Sequence, residues 1–175
     1  WRATGKGTRP PAEVLGTLVH AALARWWFPG DERFKRLMES LSYREGLINP
    51  EQRRQAIEMA VELLDRFRDN EIYEQIGAAE QILREVPYTY ARSNGIIESG
   101  RIDLLYKIEG TWKVLDFKTD HIWDEEILDR NVEEYRPQML RYRQAVQRLL
   151  GESPDVRLCF LDSLGQVRIE NSLTG

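Results

Sequence analysis

At Gln81 the sequence changes period, and that change constrains the fold more than any other feature. Before it, apolar residues recur every three or four positions; after it, three stretches in succession alternate as a pleated strand does. The amino-terminal half therefore reads as helices. Residues 10–28 form the first, opened by Pro10-Pro11, which a first turn tolerates, with Leu15, Leu18, Val19, Ala22, Leu23 and Trp26 on one face. A shorter helix carries Phe34, Leu37, Met38 and Leu41. Asn49-Pro50-Glu51-Gln52 then supplies a cap, a proline at the first position and a glutamine three residues after the cap. The helix it starts buries Ile57, Ala60, Val61, Leu64 and Phe67, and residues 70–80 fit a further short one.

Beyond Gln81, residues 82–91, 96–108 and 111–119 read as strands, parted by Ser93-Asn94-Gly95 and by the tight turn Glu109-Gly110. An acidic connection leads to a helix over residues 134–150, ended by Gly151 and Pro154. Pro137 must sit in its first turn, because an interior proline removes a hydrogen bond and breaks the helix. Residues 156–162 and 166–170 close the chain as two strands joined at Leu164-Gly165. The class is α/β, and 175 residues suit a single domain, 1–175.

Bulk properties narrow the function. Hydrophobic content of 42% and charged content of 31% are those of an ordinary globular protein. No apolar run is long enough to span a bilayer, and no signal-peptide layout opens the chain, so no membrane role is expected. The one cysteine, Cys159, excludes an internal disulfide and a cysteine quartet for zinc or an iron–sulfur cluster. It lies in the apolar run of residues 156–161 and reads as a small buried hydrophobe in a reducing, cytoplasmic setting. The net charge of −4 speaks against a free-standing nucleic-acid-binding domain, whose phosphate contacts reward a basic surface. Clustered carboxylates at a metal site, and a basic track supplied by a larger parent protein, are two ways to offset it.

The chemistry concentrates on two strands. In Trp112-Lys113-Val114-Leu115-Asp116-Phe117-Lys118-Thr119, Asp116 and Lys118 share one face, with Leu115 and Phe117 on the other. The pairing suits phosphodiester hydrolysis: the carboxylate holds a divalent cation while the ammonium orients water and offsets phosphate charge. Taken alone it is no more than a charged strand face. Support comes from Gly100-Arg101-Ile102-Asp103, where a hairpin brings Asp103 near Asp116 and Gly100 suggests close backbone approach. Two carboxylates so close repel unless one keeps its proton or a cation lies between them. His20, with Gly16, Thr17 and Ala24 around it, is a third candidate ligand, and imidazole beside carboxylates tilts the choice toward manganese. Glu85 either holds a metal-bound water or pairs with an arginine. Gln138 and Tyr142 stand one helical turn apart, and Gln138 lies near the helix amino terminus, where the dipole suits a phosphate.

Together Gly16-Thr17-Leu18-Val19-His20, Glu85-Val86-Pro87, Gly100-Arg101-Ile102-Asp103, Leu115-Asp116-Phe117-Lys118-Thr119 and Gln138-Met139-Leu140-Arg141-Tyr142 resemble the RecB/AddA-type nuclease domain of the PD-(D/E)XK superfamily. They occur in family order over nearly the whole chain; Ile102 replaces the proline of the superfamily name. The resemblance implies a restriction-endonuclease-like core, a mixed central sheet flanked by helices, with a largely helical amino-terminal half. It implies Mg²⁺ or Mn²⁺ held by His20, Asp103, Asp116 and the carbonyl of Phe117. It makes Lys118 the catalytic lysine, with Glu85 and Gln138 in the catalytic set and Gln138 and Tyr142 beside the DNA. The missing cysteine quartet points to the type without an iron–sulfur cluster.

In that type the nuclease is the carboxy-terminal domain of a UvrD-like superfamily 1 helicase. It acts with DNA, its motor and a second nuclease or helicase chain in double-strand-break processing and recombinational repair. No motor is expected here, since Gly5-Lys6-Gly7-Thr8 lacks phosphate-loop spacing, and Trp1 as the first residue suggests a piece excised from a longer chain. Two rivals remain. One is an inactive DNA- or protein-binding module on the same fold; the other is a stand-alone nuclease.

Overall fold

A computed structural model describes residues 11–92 and 94–171. Trp1, the run at residues 5–8, Pro10 and Ser93 lie outside the described residues. The chain divides into two compact units, Trp1–Arg66 and Phe67–Gly175.

The first unit is helical: α1 (Ala12–Arg25), α2 (Glu32–Arg44) and most of α3 (Pro50–Arg68). On α1, Leu15, Leu18, Val19, Ala22 and Leu23 are buried as their spacing predicts, and the helix packs against α2. It stops three residues short of the expected Phe28 because Trp26 takes a left-handed conformation, φ 56°, and its N–H closes onto the carbonyls of Ala22 and Leu23. Asp31 caps α2 through a 2.8 Å bond from the Arg33 N–H. Asn49 caps α3 as expected, its Oδ1 accepting from the N–H groups of Glu51 at 2.8 Å and Gln52 at 3.3 Å. The buried stripe of α3 is turned slightly from the predicted one: Ala56, Ala60, Leu63, Leu64 and Phe67 are enclosed, whereas Ile57 and Val61 are half-buried.

The second unit begins at Phe67 and holds α4 (Glu71–Gly77), β1 (Gln81–Ala91), β2 (Ile97–Ile108), β3 (Thr111–Ile122), α5 (Glu125–Leu150), β4 (Asp155–Ser163) and β5 (Gln166–Asn171). The sheet order is β1-β2-β3-β4-β5. All neighbours are antiparallel except β3 and β4, whose parallel pairing requires a crossover, and α5 is that crossover. The hairpin turns at Glu109-Gly110 and Leu164-Gly165 have positive φ at both residues, as two-residue turns between twisted strands demand. One face of the sheet carries Ile102, Leu105, Trp112, Val114, Val156, Leu158 and Phe160 against Met139, Tyr142, Ala145 and Val146 of α5. On the opposite face Phe117 meets Phe67, at the end of α3, edge-on at 5.1 Å between centroids. The fold is thus the expected mixed-sheet α/β core. Among the described residues no helix is long and apolar enough to cross a membrane.

The helix α5 corrects the sequence reading. It starts at Glu125, nine residues earlier than expected, and Pro137 lies in its interior. The acidic stretch read as a connection is its first turns: Asp124 caps Ile127 N–H at 2.7 Å, and Glu125 and Glu126 sit where the dipole favours anions. An interior proline costs about 3 kcal/mol; the apolar stripe from Leu128 through Met139 to Val146, buried on the sheet, outweighs it. Gln138 is therefore mid-helix, with no helix amino terminus beside it to draw a phosphate.

Candidate active site

The site forms where β1, β2 and β3 run side by side. The register places Arg84 opposite Leu104 and Val86 opposite Ile102, so Glu85 falls opposite Asp103. Across the next pair the ladder ends at Leu104 opposite Leu115, and the next residue beyond it on each strand is Asp103 on β2 and Asp116 on β3. Three carboxylates thus lie in one row across three strands. Carboxylate oxygens of Glu85 and Asp103 come within 4.8 Å of each other. Asp103 is half-buried, not a solvated edge aspartate, because β2 is an interior strand; its Oδ2 accepts the Phe117 N–H at 3.0 Å. Glu85 has φ 52°, a left-handed conformation rare in mid-strand, which drops it from the ladder beside its two paired neighbours. Of the two readings of Glu85 the arginine pairing is the one observed: its Oε2 accepts from Arg101 at 2.9 Å, at the outer end of the acidic row.

Gly100 marks a close approach, as expected, but to a side chain. A Cβ there would meet the Tyr88 ring at 2.5–2.9 Å. The bare glycine lets Tyr88 lie over the strand, stacked on Tyr90 and edge-on to Tyr142.

On β3, Asp116 is 2% exposed and Lys118 only 13%, and their charged groups stand 2.8 Å apart. The ammonium also donates to Gln138 Oε1 at 2.9 Å and lies 3.8 Å from the centre of the Tyr135 ring. Since an ammonium only donates, the Gln138 oxygen must face it, which turns the amide nitrogen onto Tyr142, whose hydroxyl accepts at 2.7 Å. Asp116, Lys118, Gln138 and Tyr142 therefore form one polar chain from strand to helix. Burial first, then the charges of Asp116 and Asp103, push the Tyr142 phenol far above its ordinary value, so it stays protonated. Tyr135 is raised likewise, first by burial and then by Asp120, whose Oδ2 accepts from its hydroxyl at 3.0 Å. Cys159 is buried behind this site, its thiol pushed up by burial and by Asp116, as inert as its apolar run suggests.

The sequence reading missed Tyr135 and Asp120. Tyr135, Gln138 and Tyr142 share one helical stripe, but placing the helix start at residue 134 put Tyr135 at its frayed end. His20 lies on α1 in the first unit and is half-buried.

Such a row of carboxylates needs positive charge between its members. Lys118 supplies one cation; the oxygen-rich remainder, Glu85 and Asp103 within 4.8 Å, fits a hard divalent ion.

Comparison with known proteins agrees with the geometry. The PD-(D/E)XK nuclease superfamily model matches residues 2–170. Relatives include an ATP-dependent helicase/nuclease subunit of Staphylococcus saprophyticus, 28% identical over 91% of this chain and 14% of that protein. The helicase/nuclease subunit of the same name from Heliobacterium modesticaldum is 31% identical over 58% of this chain and 8% of its own length. The chain thus spans about one seventh of the first of these relatives. Among solved structures, a Eubacterium rectale protein with a provisional exonuclease name superposes with a TM-score of 0.61 at 16% identity, covering 97% of this chain and 60% of that one, and so shares the fold.

Proposed function

This chain belongs to the PD-(D/E)XK nuclease superfamily, and on that premise we propose that it is a metal-dependent deoxyribonuclease domain of exonuclease type. Its setting is the processing of DNA double-strand breaks, in the cytoplasm, within a helicase–nuclease whose motor belongs to the same parent chain. The names of the relatives, which join helicase and nuclease, support that setting.

The observation that carries the reading is the chain Asp116–Lys118–Gln138–Tyr142 beside Asp103. Asp103, Asp116 and the Phe117 carbonyl would hold Mg²⁺ or Mn²⁺. When bound, the ion activates water and offsets charge on the phosphate. Lys118 donates to the attacking water or to a phosphate oxygen and stabilises charge that builds in the transition state. Gln138 aims that ammonium by holding it from the helix side, so its own orientation by Tyr142 matters. Glu85, anchored by Arg101, accepts a hydrogen bond from the attacking water at the flank of the row. Tyr142, kept protonated, faces the DNA strand together with Gln138.

The test is cleavage of end-labelled single- and double-stranded DNA in Mg²⁺, Mn²⁺ or EDTA, with a closed circle as control. Linear DNA should shorten from its ends only with the cation present. Cutting in EDTA would defeat metal dependence, and linearised circles would defeat exonuclease action.

A further inference from the structure

The chain carries a net charge of −4, which is poor for holding a polyanion. Its charge is not evenly spread. On α5, Pro137, Arg141, Gln144, Gln147 and Arg148 follow one another at helical spacing and, with Arg92 at the end of β1, line a groove of about 840 Å³. No acidic side chain lines this groove among the described residues. Arg92 and Arg141 share the carboxylate of Glu98, Arg141 at 3.6 Å. Arg148 is held by neutral groups, the Ala91 carbonyl at 2.5 Å and the face of Tyr90 at 5.1 Å. Three guanidiniums thus stand against one carboxylate, a local net charge of two positive.

The groove starts at the site. Pro137 precedes Gln138 and Arg141 precedes Tyr142, and Tyr88 packs on Tyr142 at 5.9 Å. From Pro137 to Arg148 the helix rises about 17 Å, the length of about five nucleotides at ~3.4 Å per strand step.

We propose that this groove is the track for the phosphodiester backbone of the single strand that enters or leaves the cleavage site. The assignment rests on the nuclease reading for its substrate and on the groove for its residues. One file of guanidiniums follows one backbone, not two. With exposed amides between them, and the Tyr90 ring already covered by Arg148, the contacts are to phosphate and read no sequence. The acidic net charge then belongs to the rest of the surface, and the strand meets positive potential only along this path.

The experiment is anisotropy of a labelled 20-nucleotide oligothymidylate, and of a mixed sequence, on the whole chain in EDTA across a salt series. Arg148→Gln and Arg92→Gln should each weaken both oligonucleotides alike, by roughly tenfold for a lost charge-assisted bond, and flatten the log–log salt slope by about 0.7. Arg148→Lys should keep the slope. Gln147→Glu, exposed and harmless to folding, should weaken binding without removing any contact. Unchanged affinity and slope in these variants, no binding by the wild type, or tighter binding of duplex through the same arginines would overturn the proposal. Because EDTA removes hydrolysis from the measurement, arginine-dependent binding without any metal-activated cleavage would sink the nuclease reading and leave the track. Cleavage with arginine-independent binding would do the reverse.

Discussion

Replacing Lys118 by methionine removes the cation that stands 2.8 Å from a carboxylate only 2% exposed. Methionine fills the volume of the stem, so the loss is electrostatic. Breaking a buried pair from one side costs about 3–5 kcal/mol, because the remaining charge is stranded. Asp116→Asn breaks the same pair but strands the more exposed of its two charges. Lys118 is then still held by Gln138 Oε1 and the Tyr135 ring, with a 13% exposed side chain, and the cost falls to about 1–2 kcal/mol. Removing both charges in Asp116→Asn/Lys118→Met strands neither, so the double variant lies within about 1–2 kcal/mol of the wild type. Urea unfolding in EDTA, followed through the five tryptophans, measures all four proteins. On heating, the single lysine variant should melt about 6–20 °C lower at roughly 2–4 °C per kcal/mol. If Lys118→Met costs no more than Asp116→Asn, or the double variant no less than Lys118→Met, the ion pair is not the buried device described.

Gln138→Leu should lower the cleavage rate at saturating DNA by about two decades, since it frees the ammonium that positions water; steady-state kcat checks it. Gly100→Ala should cost about 1–2 kcal/mol of overpacking against Tyr88, and almost nothing in a Tyr88→Ala background. Pro137→Ala should raise the melting temperature, restoring the helix bond to the Glu133 carbonyl at a gain of about 1–3 kcal/mol. Burial pushes the Tyr106 phenol up from 10.0 to about 12. The folded chain therefore holds this proton where the unfolded chain releases it; the stabilisation is whole below pH 10 and is lost as pH rises through 12, by about 2–3 kcal/mol. Alkaline unfolding should coincide with phenolate absorbance, and Tyr106→Phe should flatten it.

Much of the site was legible because strand geometry is local. Alternation alone puts Asp116 and Lys118 on one face, and the two-residue turn at Glu109-Gly110 sets a register that delivers Asp103 to Asp116. The third member of the row, Glu85, needed the β1–β2 register and its own positive φ, neither of which a sequence period reveals. The start of α5 was misread for a related reason. Proline's local cost was visible in the sequence, but the burial of Leu128 and Ile127 against the sheet that overrides it is tertiary. That misreading hid Tyr135 from the site and gave Gln138 a dipole it does not have. The groove escaped notice because Arg92 and Arg148, far apart in sequence, meet only once β1 and α5 are packed.

Whether the acidic row with Lys118 hydrolyses DNA is decided by single-turnover cleavage of labelled linear DNA by the wild type and Asp116→Asn, with Mn²⁺ and with EDTA. The wild type should cut only with the metal, and a folded Asp116→Asn should not cut. Equal rates for the two proteins, or a rate indifferent to EDTA, would refute hydrolysis at this site.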